Sequence, residues 1–180
     1  MTQGQPKQNH SVSSTYDLLD RYAAGKRGFI EVDLQGADLR EVDLENALLW
    51  QANLQGVNFS GANLKNAHLF ANLTNANLTH ADLTNARLTC ANLQGVNLTQ
   101  AKLFKAYLKG ANLAGANLTQ AKFIYADLED ADLRGAILNH TMFYRVNLLN
   151  TNFQATDLSQ ALILGDGFIE ICPIRIGFKN

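Results

Sequence analysis
Apolar residues return every five positions along most of this chain. Leu34, Leu39, Leu44, Leu49, Leu54, Phe59, Leu64 and Leu69 form one run; a second begins at Leu73 and continues through Leu78, Leu83 and Leu88 to Phe143, Leu148, Phe153, Leu158 and Ile163. Two residues before each stands a small apolar residue or Thr, from Val32, Ala37 and Val42 to Thr151, Thr156 and Ala161. The residue between is polar, most often Asn or Asp, as in Ala52-Asn53-Leu54 and Ala131-Asp132-Leu133. A helix needs apolar positions about every 3.6 residues and a long strand needs alternation, so a period of five suits neither. It suits a three-residue extended piece, in-out-in, followed by a two-residue corner.

The corner has its own signature. The second residue after the inward Leu is often Gly or Asn, as at Gly36, Gly56, Asn66, Asn75, Gly95 and Gly110. These residues tolerate the positive φ that a type II turn demands. Corners carrying Gln, His, Lys or Glu are expected to use a different turn. Four such units close a square coil of twenty residues, and stacked coils pair through backbone hydrogen bonds about 4.8 Å apart.

On these residues the chain resembles the pentapeptide-repeat family, whose consensus is A-(N/D)-L-x-x. The match runs through about 27 consecutive units, some three-quarters of the chain, and repeat matches of that extent are specific. The resemblance implies an all-β fold, a right-handed quadrilateral parallel β-helix of about seven coils, forming a rod roughly 30 Å long. A helix ahead of the first coil makes the chain similar to cyanobacterial-type members of the family.

That helix is read over residues 14–25, between a polar tail (1–13) expected to be disordered and a solenoid spanning 26–168. Ser14 with Asp17 resembles a capping box, Gly25 suits a C-terminal stop, and Leu18, Leu19, Tyr22 and Ala23 make the apolar stripe. The helix is expected to lid the first coil, because a tube of coils has two open apolar ends. Residues 169–180 belong to a β-prone apolar segment, Phe168 to Phe178, interrupted by Pro173. It reads either as a lid over the last coil or as a homodimer contact of the kind some family members use. One unit is short: the spacing from Leu69 to Leu73 is four, so a corner residue is missing.

Composition removes most chemistry from consideration. Net charge is −1, hydrophobic residues make up 47%, and no apolar run approaches a membrane span. With no apolar stretch near Met1 and only two cysteines, the expected compartment is the cytoplasm. No nucleotide-binding, nucleophile-elbow or zinc-protease motif occurs. His80 and His140 share a corner column but lie three coils, about 14 Å, apart. Cys90 and Cys172 are expected to be too far apart for a disulfide. Acidic residues ring the first coil (Glu31, Asp33, Asp38, Glu41, Asp43, Glu45) and crowd a later corner (Asp127, Glu129, Asp130, Asp132); both read as solvated charge. No catalytic, cofactor or metal residue is assigned.

The outward positions are not uniform. With the units of Leu34, Leu39, Leu44 and Leu49 starting four faces, the first two are mostly Asn, Thr, Gln and Gly. The third carries, just after the inward residue, Phe104, Ile124, Tyr144 and Leu164: an apolar ridge with one residue per coil. Lys102, Lys105, Lys122, Tyr125 and Arg145 flank it, and Tyr107 and Lys109 lie round the corner. Trp50 and Phe70 form a shorter pair on the fourth face. The ridge residues either stack to stabilise their sheet or bind a partner. The expected function is a non-enzymatic scaffold binding a protein partner on this face, as a monomer or as a homodimer through the C-terminal segment. The alternative is the gyrase-inhibiting DNA mimicry of the family's quinolone-resistance branch. Near neutrality and a lysine-bearing face weigh against mimicry, and acidic coils against nucleic-acid binding.

Overall fold
The computed structural model describes residues 15–165; the polar N-terminal tail, Ser14, Cys172 and the segment from 169 to 180 lie outside them. Within these residues the chain is a stack of coils. Parallel backbone bridges link each unit to the one a full coil later, as in Asp33↔Asn53, Asp38↔Asn58, Asp43↔Asn63 and Leu48↔His68. These four columns of bridges are the four faces. The step is twenty residues at most rungs and nineteen across the short unit, as in Asn53↔Asn72.

The in-out-in reading of each unit holds. Along the stack, the Leu or Phe and the small residue two before it are buried in one continuous core, while the residue between them faces outward. The outward Asn or Asp has two tasks. Its side-chain oxygen accepts the N–H two residues on, as from Gln55 to Asn53 (3.3 Å) and from Thr99 to Asn97 (3.0 Å), nipping the chain into the corner. The Asn amide then donates to the same position one coil earlier, as from Asn53 to Asp33 (2.9 Å) and from Asn77 to Asn58 (3.1 Å). Three of the six acidic residues that ring the first coil are therefore corner-formers: Asp33, Asp38 and Asp43 each accept the N–H two residues on.

The corners correct one expectation. Gln, His, Lys and Glu corners do not use a different turn sense: Glu41, His80, Gln100 and Lys105 all hold φ between 52° and 60°, alongside corner glycines at 64° to 70°. The inter-coil hydrogen bonds dictate the bend, and they override side-chain preference.

The helix α1, Thr15–Ala23, precedes the first coil. Gly25 (φ 88°) ends it, with Lys26 N–H donating to the Arg21 carbonyl and Gly25 N–H to that of Tyr22, both at 2.9 Å; this is a Schellman closure. Leu18 is buried, Leu19 and Tyr22 pack on the core, and the Tyr22 hydroxyl donates to the Glu45 carbonyl at 2.9 Å. Ala23, read as part of the apolar stripe, is exposed. The helix thus covers the first coil through Leu18, Leu19 and Tyr22.

On the third face of the later coils the backbone changes. Three-residue strands appear there: β1 (Lys102–Phe104), β2 (Lys122–Ile124), β3 (Met142–Tyr144) and β4 (Leu162–Leu164), joined in one parallel sheet in the order β1-β2-β3-β4. Two changes in sequence coincide. The Asn or Asp is replaced by Lys102, Lys122, Met142 and Leu162, which cannot nip the corner, and bulky residues follow. The fourth face also lacks the Asn at Arg87 and Tyr107 yet keeps tight corners there, with Ala91 N–H donating to the Leu88 carbonyl at 3.0 Å and Ala111 N–H to that of Leu108 at 2.9 Å, so the bulk of Phe104, Ile124, Tyr125 and Tyr144 is the added cause. The corner bond relaxes from 3.0 Å between Ala86 and Leu83 to 3.4 Å between Ala106 and Leu103.

Candidate docking face
The strand register places Phe104 beside Ile124, Ile124 beside Tyr144, and Tyr144 beside Leu164. All four face away from the core; Phe104 and Leu164 are 36% and 42% exposed, and Ile124 and Tyr144 are half-buried. A parallel column stands two residues earlier on each strand: Lys102, Lys122, Met142 and Leu162. Leu162 is 45% exposed. Sequence reading passed over Met142 and Leu162; the departure from Asn/Asp at their positions was the signal available.

A third line, the corner residues, interlocks with the ridge. The Tyr125 ring meets Phe104 edge-to-face at 5.9 Å and Tyr144 at 5.6 Å. The Arg145 guanidinium lies 5.6 Å from the Tyr144 ring and 5.9 Å from that of Tyr125, and the Lys105 ammonium 5.2 Å from Phe104. Such contacts hold the aromatic rings in fixed orientations. A groove runs beside them at the relaxed corner, lined by Phe104, Lys105, Ala106, Tyr107, Tyr125 and Asp127.

The cations are unequally engaged. Lys102 approaches Asp82 at 3.9 Å, which Lys65 also approaches at 3.5 Å. Partial burial would raise the Asp82 carboxyl, but hydrogen bonds from Thr84 and then the two ammoniums hold it below the usual range. Among the described residues, no carboxylate comes within 4.0 Å of the Lys105 or Lys122 ammonium.

Other clusters are internally balanced. At the acidic corner Lys109 pairs with Glu129 at 2.6 Å and approaches Asp130 at 3.9 Å, while Asn147 and Asn150 donate to Asp127 and Asp130. No group of three or more His, Cys, Asp or Glu side chains among the described residues could hold a metal ion. His80 and His140 sit at exposed corners, and Cys90 is an exposed free thiol. On the fourth face Trp50 and Phe70 meet at 6.1 Å, and His68, which sequence reading left apart from them, stacks on Trp50 at 5.8 Å.

The comparisons agree with this architecture. The family model for pentapeptide repeats matches residues 29–69, 70–103, 101–139 and 126–160, in eight copies. No curated protein sequence matches the chain. Among solved structures, QnrB1, a plasmid-mediated fluoroquinolone resistance protein, is 22% identical over 78% of this chain and 76% of its own, with a TM-score of 0.63. A pentapeptide repeat protein from the cyanobacterium Nostoc is 30% identical over 83% of this chain and 95% of its own, with a TM-score of 0.49. HetL, a Nostoc protein involved in heterocyst differentiation regulation, is 24% identical over 83% of this chain and 97% of its own, with a TM-score of 0.41. The repeat, the four-faced coil and the family match together place this chain in the pentapeptide-repeat family.

Proposed function
We propose that this chain is a non-enzymatic scaffold that docks a protein partner on the β1–β4 face. The observation that carries the reading is a coincidence of place. The aromatic and aliphatic residues that point outward in a column, the relaxed corners, and two lysines with no carboxylate neighbour among the described residues all fall on one side of the later coils. Exposed apolar surface rimmed by polar residues marks interaction sites, and aromatic rings fixed by their neighbours lose little freedom on binding. Stacking within the ridge is present as well; it pre-orders the surface and does not compete with docking. Gyrase inhibition by DNA mimicry draws less support, because the chain carries a net charge of only −1 and lysines stand along this face.

The test is affinity capture from native cell extract with the wild type and with Ile124→Ser/Tyr144→Ser. The variant is expected to keep its circular dichroism spectrum and lose a partner that the wild type recovers. Identical recovery by both proteins would remove the docking reading.

A further inference from the structure
We infer that the occupant of this face is an amphipathic α-helix of the partner protein, lying along the rod axis, acidic at the end over coils four and five and apolar at the other. The inference rests on the docking reading and adds the partner's chemistry.

Spacing selects a helix. The two outward columns of the sheet, one starting at Lys102 and the other at Phe104, are two residues apart on each strand, about 6.6 Å, and repeat about every 4.8 Å up the stack. They form a trough parallel to the axis. A helix laid in it presents one apolar side chain per turn, about every 5.4 Å. Over the three steps from Phe104 to Leu164 it drifts by under about 2 Å, which side-chain rotation absorbs. An extended peptide offers same-side residues about every 6.8 Å and falls out of step by about 2 Å at each rung. Groove-bound helices use this i, i+4, i+7 pattern of anchors.

Charge selects the flank and the direction. At the lower end Lys102 and Lys122 stand in one column and Lys105 at the corner beside the other, with Phe104 and Ile124 between. At the upper end the corresponding outward positions are Met142, Tyr144, Leu162 and Leu164, and the corner cation there, Arg145, is set against the Tyr125 and Tyr144 rings. The two columns themselves therefore change from cationic to apolar along their length. A helix with carboxylates at one end and aliphatic residues at the other would complement both halves.

The experiment uses four fluorescent probes with the full chain. The first is a 15-residue stapled helical peptide with Leu at i, i+4, i+7 and i+11 and Glu beside the first two. The second replaces Glu by Lys, the third rearranges the first into alternating Leu and Glu without a staple, and the fourth is a 15-nucleotide oligo-dT. By fluorescence anisotropy at low salt, the first is expected to bind at least tenfold more tightly than the others. Lys105→Glu/Lys122→Glu should weaken it at least tenfold without loss of thermal stability; Glu is accommodated at corners such as that of Lys105, as Glu31 and Glu41 show with φ of 58° and 57°, and Lys122 is exposed on its strand. Equal or tighter binding of the alternating peptide or the oligonucleotide would overturn the inference, as would indifference to the double substitution or no binding of the helix up to 1 mM. If the helix fails while extract capture still yields a ridge-dependent partner, docking stands and the helical occupant falls; failure of both removes both.

Discussion

The indole of Trp50 and the imidazole of His68 lie one coil apart with centroids 5.8 Å from each other and planes inclined by 13°. Phe70 closes the cluster with its ring steeply inclined to both, and the His68 Nδ1 is buried with no hydrogen-bond partner among the described residues. Desolvation, and secondarily the Arg87 guanidinium, lower the His68 pKa below the usual 6.5.

The sign of the consequence follows from linkage. A base whose folded pKa is depressed binds fewer protons folded than unfolded between the two values. Its contribution to stability is complete above about pH 6.5 and is lost as pH falls through 6.5 toward the folded value. Unfolding midpoints should therefore decline between pH 7 and 5, and His68→Gln should flatten that decline. Trp50 is the sole tryptophan, and its fluorescence should titrate with a midpoint below 6.5 that the variant lacks. A midpoint above 6.5 would contradict the burial argument.

Corner residues other than Gly hold positive φ under protest from their Cβ. Ala155 sits at φ 59°, so Ala155→Gly should stabilise by about 1 kcal/mol. Gly115 is the converse case: an added Cβ would meet nothing within 4 Å, yet φ is 67°. Gly115→Ala should therefore cost about 1 kcal/mol from backbone conformation alone. Urea denaturation of both variants would check the pair, and equal midpoints would refute the claim that the corners store strain.

Phe143 faces Phe123 inside the solenoid, with rings stacked at 5.1 Å, in a column that earlier coils fill with Leu44, Leu64, Leu83 and Leu103. Phe143→Ala should cost roughly 3–5 kcal/mol through the void it leaves. Phe143→Leu, which restores the column's usual residue, should cost only about 1 kcal/mol. Chemical denaturation separates these values readily.

The short unit offers a topological test. Elsewhere a corner N–H donates to the coil above, as Gln51 does to the Phe70 carbonyl at 2.8 Å. Because no corner residue follows Phe70, the Thr89 carbonyl receives no such bond, and Phe70, Ala71 and Cys90 line a dent in the edge. Inserting Gly between Phe70 and Ala71 should leave a cooperative protein whose stability changes by no more than about 1 kcal/mol. Inserting one residue between Asn77 and Leu78 should abolish cooperative unfolding, because it reverses which side chains face inward. Equal tolerance of both insertions would show that the corner and the extended piece are not distinct.

The site was legible in part. Phe104, Ile124, Tyr144 and Leu164 fell into one column as soon as positions were sorted by coil, because period and register are arithmetic. Met142 and Leu162 were passed over because they occupy the usual Asn position, where an apolar residue reads as drift until its neighbours are seen. The place of His68 beside Trp50 depends on ring orientation, which spacing does not carry.

What the residues alone determined was the coil: a five-residue period allows one inward pair and one corner per unit, so the core and the four faces follow from counting. What only the tertiary structure decided was how each corner bends and where the chain departs from the common shape. Inter-coil hydrogen bonds force Glu, His and Lys corners into the same positive-φ turn as Gly, against local preference. Bulky neighbours stacked over consecutive coils then open the third face into strands. Both are collective effects of stacking, which no single unit contains.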